Sequence, residues 1–125
     1  MQKILYVGIG GFIGAATRYL ISIHSAKLFG TQFPVGTLVV NVLGGLLIGL
    51  IMELSLATDL IPPNARIFLT TGVLGGLTTF STFSYETVSL FSEGSYLLGG
   101  ANLILNLFLS LCGVVLGKTI VRIMI

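Results

Sequence analysis

This sequence is poor in charge. Six lysines and arginines and four acidic residues make up 8% of 125 positions. A soluble domain of this length needs a charged surface, and ten charges cannot cover one. Cysteine occurs once, as Cys112, which excludes an internal disulfide. Histidine also occurs once, as His24 near a helix end, so no triad or metal cluster can be assembled around it and an enzyme is disfavoured. There is no run of basic residues for nucleic acid. Proline is scarce, and Pro34 and the pair Pro62–Pro63 stand where loops are expected.

What is present is apolar: 54% of the residues are hydrophobic and the mean hydropathy is +1.07. The natural solvent for such a chain is a bilayer, and a spanning helix needs about 20 mostly apolar residues. Four spans are expected, near residues 4–25, 35–57, 67–91 and 96–121, giving an all-α membrane protein with a single domain over 1–125. The loops are short. The first apolar run is long and lacks a small-residue cleavage site, so no removable signal is expected. With four spans the termini and the middle loop share one side, which holds Lys3, Arg66, Lys118 and Arg122; the other holds Lys27, joined by Arg18 if that residue sits near its helix end. That excess favours cytoplasmic termini, but it is small, and so weak a bias is compatible with insertion both ways.

Each span carries two glycines four apart: Gly10 and Gly14, Gly45 and Gly49, Gly72 and Gly76, Gly113 and Gly117. Small residues at this spacing let helix backbones approach in lipid, although seventeen glycines also produce such pairs by chance. Which helices meet cannot be read from the pattern. Four helices enclose little interior, so oligomerisation is expected.

Polar groups inside spans are costly and tend to face protein or a water-filled cavity. Asn102, Asn106 and Ser110 lie four apart, so they form one stripe on the fourth helix, either as interhelical glue or as a permeation track. Asn41 interrupts the second span and offers two donors to an anion, or a packing bond. Arg18 in the first span is a fixed positive charge, either snorkelling to the interface or drawing anions into a vestibule. Glu86 and Glu53 fall near helix ends.

The third span contains GGLTTFSTFS, residues 75–84. Gly75–Gly76 weakens helix, and Thr and Ser side chains can satisfy a non-helical turn. These residues predict a break near the bilayer midplane, tolerated where protein or a cavity surrounds it. Freed carbonyls there suit a cation, and the N-terminus of the resumed helix suits an anion. Phe80 and Phe83 share a face of that helix, and their ring edges carry the positive part of the quadrupole; the alternative is ordinary packing. Ser81 and Ser84 make a second polar face.

At these residues the chain resembles the Fluc (CrcB) fluoride channel family, through GGFIGAATRY at 10–19, PVGTLVVNVLGGLLIG at 34–49 and, most specifically, TGVLGGLTTFSTFSYE at 71–86. The resemblance implies an antiparallel, dual-topology homodimer in the cell membrane with two fluoride pores, exporting fluoride passively. It implies that Phe80 and Phe83 line the pore with Asn41. The hydroxyls of Thr79, Ser81, Thr82 and Ser84 and the stripe Asn102, Asn106 and Ser110 are candidates along the same path. It implies that Gly75 and Thr78 give backbone carbonyls to a central sodium ion. Arg18 and Glu86 match the family's first-helix arginine and the glutamate after the hydroxyl motif, and are placed in vestibules. The fourth-helix asparagines depart from members with Tyr and Ser there. The expected partners are fluoride, sodium, membrane lipid and a second copy of the chain.

Two other readings compete. A small multidrug resistance transporter is also a short four-helix, dual-topology dimer, but it needs a carboxylate in its first helix, where this chain has Arg18 instead. A packing or assembly subunit would explain the glycine pairs but not the hydroxyl-rich third span.

Overall fold

The computed structural model describes residues 1–125 and is entirely helical. Helix α1 is Gln2–Phe29 and α2 is Val35–Ala57. The third span runs over Pro63–Ser92 in pieces: α3 (Pro63–Ile67), a wider π-helical stretch (Phe68–Leu74), α4 (Gly75–Leu77) and α5 (Phe80–Ser92). Helix α6, Tyr96–Met124, closes the chain. These make four helices long and apolar enough to cross a membrane. The first, third and fourth extend beyond the expected bounds, because helical hydrogen bonding continues past the apolar core of each span.

Glycine decides which helices meet. A methyl group on Gly10 would lie 2.6 Å from the Phe68 carbonyl oxygen and 2.9 Å from the Gly72 Cα. One on Gly76 would lie 2.5 Å from the Gly11 carbonyl oxygen. So the pair in α1 packs against the pair in the third span. Likewise Gly45 faces the Ser110 backbone, Gly113 faces Leu46 and Val42, and Gly117 faces Leu46 and Leu50, joining α2 to α6 along their lengths. In lipid this close van der Waals fit substitutes for the hydrophobic drive available in water. A small apolar cluster of Val40, Leu74 and Leu77 fills the centre. At one end Glu53 of α2 joins α6 through Arg122 Nε at 2.6 Å and Lys118 Nζ at 3.7 Å.

Only 22 of 125 residues are buried, so most of the apolar side chains face outward, toward lipid or another chain.

The break in the third span lies within the expected stretch 75–84, at its threonines and not at its glycines. Gly75 is helical, at φ −61° and ψ −37°, and Gly76 lies within the same turn. The extended residues are Thr78, at φ −82° and ψ 156°, and Thr79, at φ −152° and ψ 117°. Gly76 stays helical with its missing side chain serving contact with Gly11 and Ala15 of α1, and Gly75 continues the same turn. The threonines leave the helix because their side chains satisfy local backbone: Thr78 Oγ1 donates to the Leu74 carbonyl at 2.9 Å, and Thr79 Oγ1 caps α5 by accepting from the Thr82 N–H at 3.2 Å.

Candidate functional site

The broken backbone is held from across the bundle. The Thr79 N–H, which in a continuous helix would reach the Gly75 carbonyl, donates to Asn41 Oδ1 at 2.8 Å. Asn41 Nδ2 donates back to the Thr79 carbonyl at 3.1 Å and to Asn106 Oδ1 at 2.9 Å. One side chain of α2 thus serves both backbone polar groups of an extended residue, the requirement for irregular backbone at membrane depth.

The Asn41 bond to Asn106 begins a longer series. Asn106 Nδ2 donates to Asn102 Oδ1 and to the Asn102 carbonyl, both at 2.9 Å. Asn102 Nδ2 donates to Thr87 Oγ1 at 2.9 Å, and Thr87 Oγ1 donates to the Phe83 carbonyl at 2.7 Å. Five donors in succession point the same way, from the start of α5 through α2 and α6 and back to α5.

Beside this series lies a groove of about 530 Å³. Asn41, Thr79, Phe80, Phe83, Asn106 and Ser110 line it, with Gly75 and Thr78 at the break. Leucines of α6, among them Leu103 and Leu107, form much of its remaining wall, with Gly44, Gly45 and Ile48 of α2 and Thr70 and Leu74 of the third span. The two phenylalanine rings are 5.6 Å apart between centroids and tilted by 59°. They differ in setting: Phe83 is buried, whereas Phe80 is 79% exposed at the open side. Ser110 Oγ is buried and has no hydrogen-bond partner in the protein.

Not every expected residue reaches the groove. Asn102 is fully buried behind Asn106 and does not line it. Ser81 and Thr82 are exposed, and Ser84 Oγ turns to the Phe80 carbonyl at 2.9 Å. Glu86 lies away from the groove, where Oε1 accepts from Thr37 Oγ1 at 2.6 Å and Oε2 is buried without a partner. Arg18 is half-buried and outside the groove, and both ion pairs in the protein belong to Glu53. Thr37 and Thr87 were not singled out in the sequence. Their signal was spacing: Thr37 precedes Asn41 by four residues and Thr87 follows Phe83 by four, one helical turn in each case.

The fold and the site together define a multi-pass membrane protein built around a broken helix, with a largely apolar, aromatic-lined groove at the break that carries a few amide and hydroxyl groups. The chain matches, over residues 5–118, the family described as CrcB-like protein, Camphor Resistance (CrcB), and it belongs to that family. Curated relatives are named "Fluoride-specific ion channel FluC". One from Clostridium perfringens (strain 13 / Type A) is 58% identical over 99% of this chain and 99% of its own. One from Clostridium novyi (strain NT) is 52% identical over 98% of each chain, and one from Shewanella sp. (strain MR-4) is 49% identical over 97% of each.

Proposed function

We propose that this protein is a fluoride-selective channel through which the anion leaves the cytoplasm down its electrochemical gradient. The observation that carries this reading is the break at Thr78–Thr79, held by Asn41 beside the phenylalanine pair. The names of the relatives, across the full length of the chain, favour fluoride as the ion.

The groove's chemistry is that of a weak anion path. The first N–H groups of α5 lack intrahelical acceptors and point toward its N-terminus, where the helix dipole favours negative charge. The Ser110 hydroxyl is free to donate. Asn41 has given both amide hydrogens to protein oxygens, so an anion that takes one displaces Thr79 or Asn106. Such exchange keeps binding weak, and conduction requires an ion that can leave. The tilted rings add edge contacts of the same modest strength.

The same reading has the working unit as an antiparallel, dual-topology homodimer in the cell membrane, with two pores. It is supported by the open groove, the exposed Phe80 ring and the weak charge bias of the loops. A central sodium ion would be held by the Gly75 and Thr78 carbonyls of both copies. The donor set fits: the Thr79 N–H has turned to Asn41 and the Thr82 N–H to Thr79 Oγ1, so both carbonyls have lost their helical donors. Backbone oxygens suit a hard cation, and sodium there would tie the two broken helices together. A cation–proton antiporter has no support in α1, which carries no acidic residue.

The test is growth of a bacterial strain stripped of its own fluoride exporter, on medium containing fluoride. Expression of this chain is expected to restore growth, and failure of well-expressed membrane protein to do so would refute the reading.

A further inference from the structure

The donor series running from Thr79 to Phe83 has two ends, and each end dictates its direction. At the near end the Thr79 N–H can donate and cannot accept, so Asn41 must turn its oxygen there and its nitrogen toward Asn106. At the far end Thr87 Oγ1 has spent its hydrogen on the Phe83 carbonyl, so it can serve Asn102 as an acceptor. That choice turns the Asn102 nitrogen to α5 and its oxygen to Asn106. Asn106 then presents nitrogen to Asn102 and oxygen to Asn41. The requirements of the two ends agree.

We infer that Thr87, through Asn102, is a positioning residue of the pore that holds Asn106 and Asn41 in place at the groove. Thr87 and Asn102 do not line the groove themselves, and neither has solvent to fall back on: Thr87 is 6% exposed and Asn102 0%. Loss of the Thr87 acceptor leaves a buried amide N–H unpaired. Asn102 is then no longer tied to α5, and the oxygen it presents to Asn106 Nδ2 loses its fixed position. The loosening passes along the series, because each amide is held in place by its bond to the next. Asn106 and Asn41, which do line the groove, are where it emerges.

This inference rests on the channel reading, and one experiment separates their failures. Fluoride and chloride efflux are measured from liposomes holding the full chain, its near-isosteric variants Thr87→Val and Thr87→Cys, and the rescue variant Thr87→Ser. Efflux is judged on variants that remain monodisperse. Thr87→Val is expected to lower fluoride efflux roughly tenfold, the scale of a lost hydrogen bond at the rate-limiting barrier. Thr87→Cys, with a weakly accepting sulfur, falls between, and Thr87→Ser retains the parent rate. Asn102→Leu is expected to match Thr87→Val, and the double variant Thr87→Val/Asn102→Leu to be no slower than Asn102→Leu alone. Additive losses in the double variant would overturn the relay, as would parent-like efflux in Thr87→Val with a lowered melting temperature. A parent protein that passes no fluoride would defeat the channel reading and this inference with it.

Discussion

Asn41→Asp changes one amide nitrogen to oxygen and leaves the shape of the side chain intact. The oxygen that accepts from the Thr79 N–H is retained. The nitrogen that donates to the Thr79 carbonyl at 3.1 Å and Asn106 Oδ1 at 2.9 Å is lost, and an oxygen takes its place between two other oxygens. A protonated acid would have one hydrogen for two acceptors, and an ionised one would have none. Each stranded acceptor costs about 1–3 kcal/mol. The ionised form also sets a negative charge on the groove. For a fluoride passing at about 5 Å, with an effective dielectric constant of about 20, the repulsion is about 3 kcal/mol, or roughly two hundredfold in rate. The assay is fluoride efflux from liposomes at neutral pH, beside thermal unfolding in detergent. The expected result is efflux at the leak level with a lowered melting temperature. Efflux at the parent rate would refute both the placement of Asn41 on the path and the role of its amide in holding the break.

Other consequences follow from the same geometry. Phe80→Ile and Phe83→Ile are both expected to slow fluoride efflux, and normal flux in both would remove the ring-edge contribution. Their stability effects should differ: Phe83 is buried, so Phe83→Ala is expected to cost about 3–5 kcal/mol in detergent unfolding. A result near zero would mean the site collapses without loss. Gly45→Val places its Cβ 2.5 Å from the Ser110 carbonyl oxygen, where backbone must move, and should destabilise by about 3 kcal/mol or more. Gly100→Ala meets nothing within 4 Å and should be neutral or stabilise by up to about 1 kcal/mol. Equal melting temperatures for these two glycine variants would contradict the packing scheme.

The four spans were legible because length and hydropathy are enough to mark them, and Asn41 stood out as a lone amide in an apolar run. The break was legible within residues 75–84, but not which of its residues leave the helix. Gly75–Gly76 and Thr78–Thr79 both weaken helix locally, and what separates them is tertiary: α1 lies against Gly76, while Asn41 lies across from Thr79. The pairing of glycine stripes was hidden for the same reason, since every span carries one and a single chain gives no partner list. On the fourth helix, spacing correctly put Asn102, Asn106 and Ser110 on one face. It could not say that this face divides along its length, with Asn102 turned to Thr87 and Ser110 turned to the groove. Spacing set Thr87 one turn after Phe83, but that carries no weight until its hydroxyl is seen to end a run of amides.

The most direct test of the account is ion efflux from liposomes holding the purified protein, with fluoride and chloride electrodes read side by side after a potassium ionophore is added. The ionophore lets potassium accompany any anion that leaves, so efflux that depends on it is electrogenic. Rapid fluoride release with chloride retained is the predicted result. Retention of fluoride by folded protein, or release of both anions alike, would contradict the claim that the broken helix, Asn41 and the phenylalanine pair form a fluoride path.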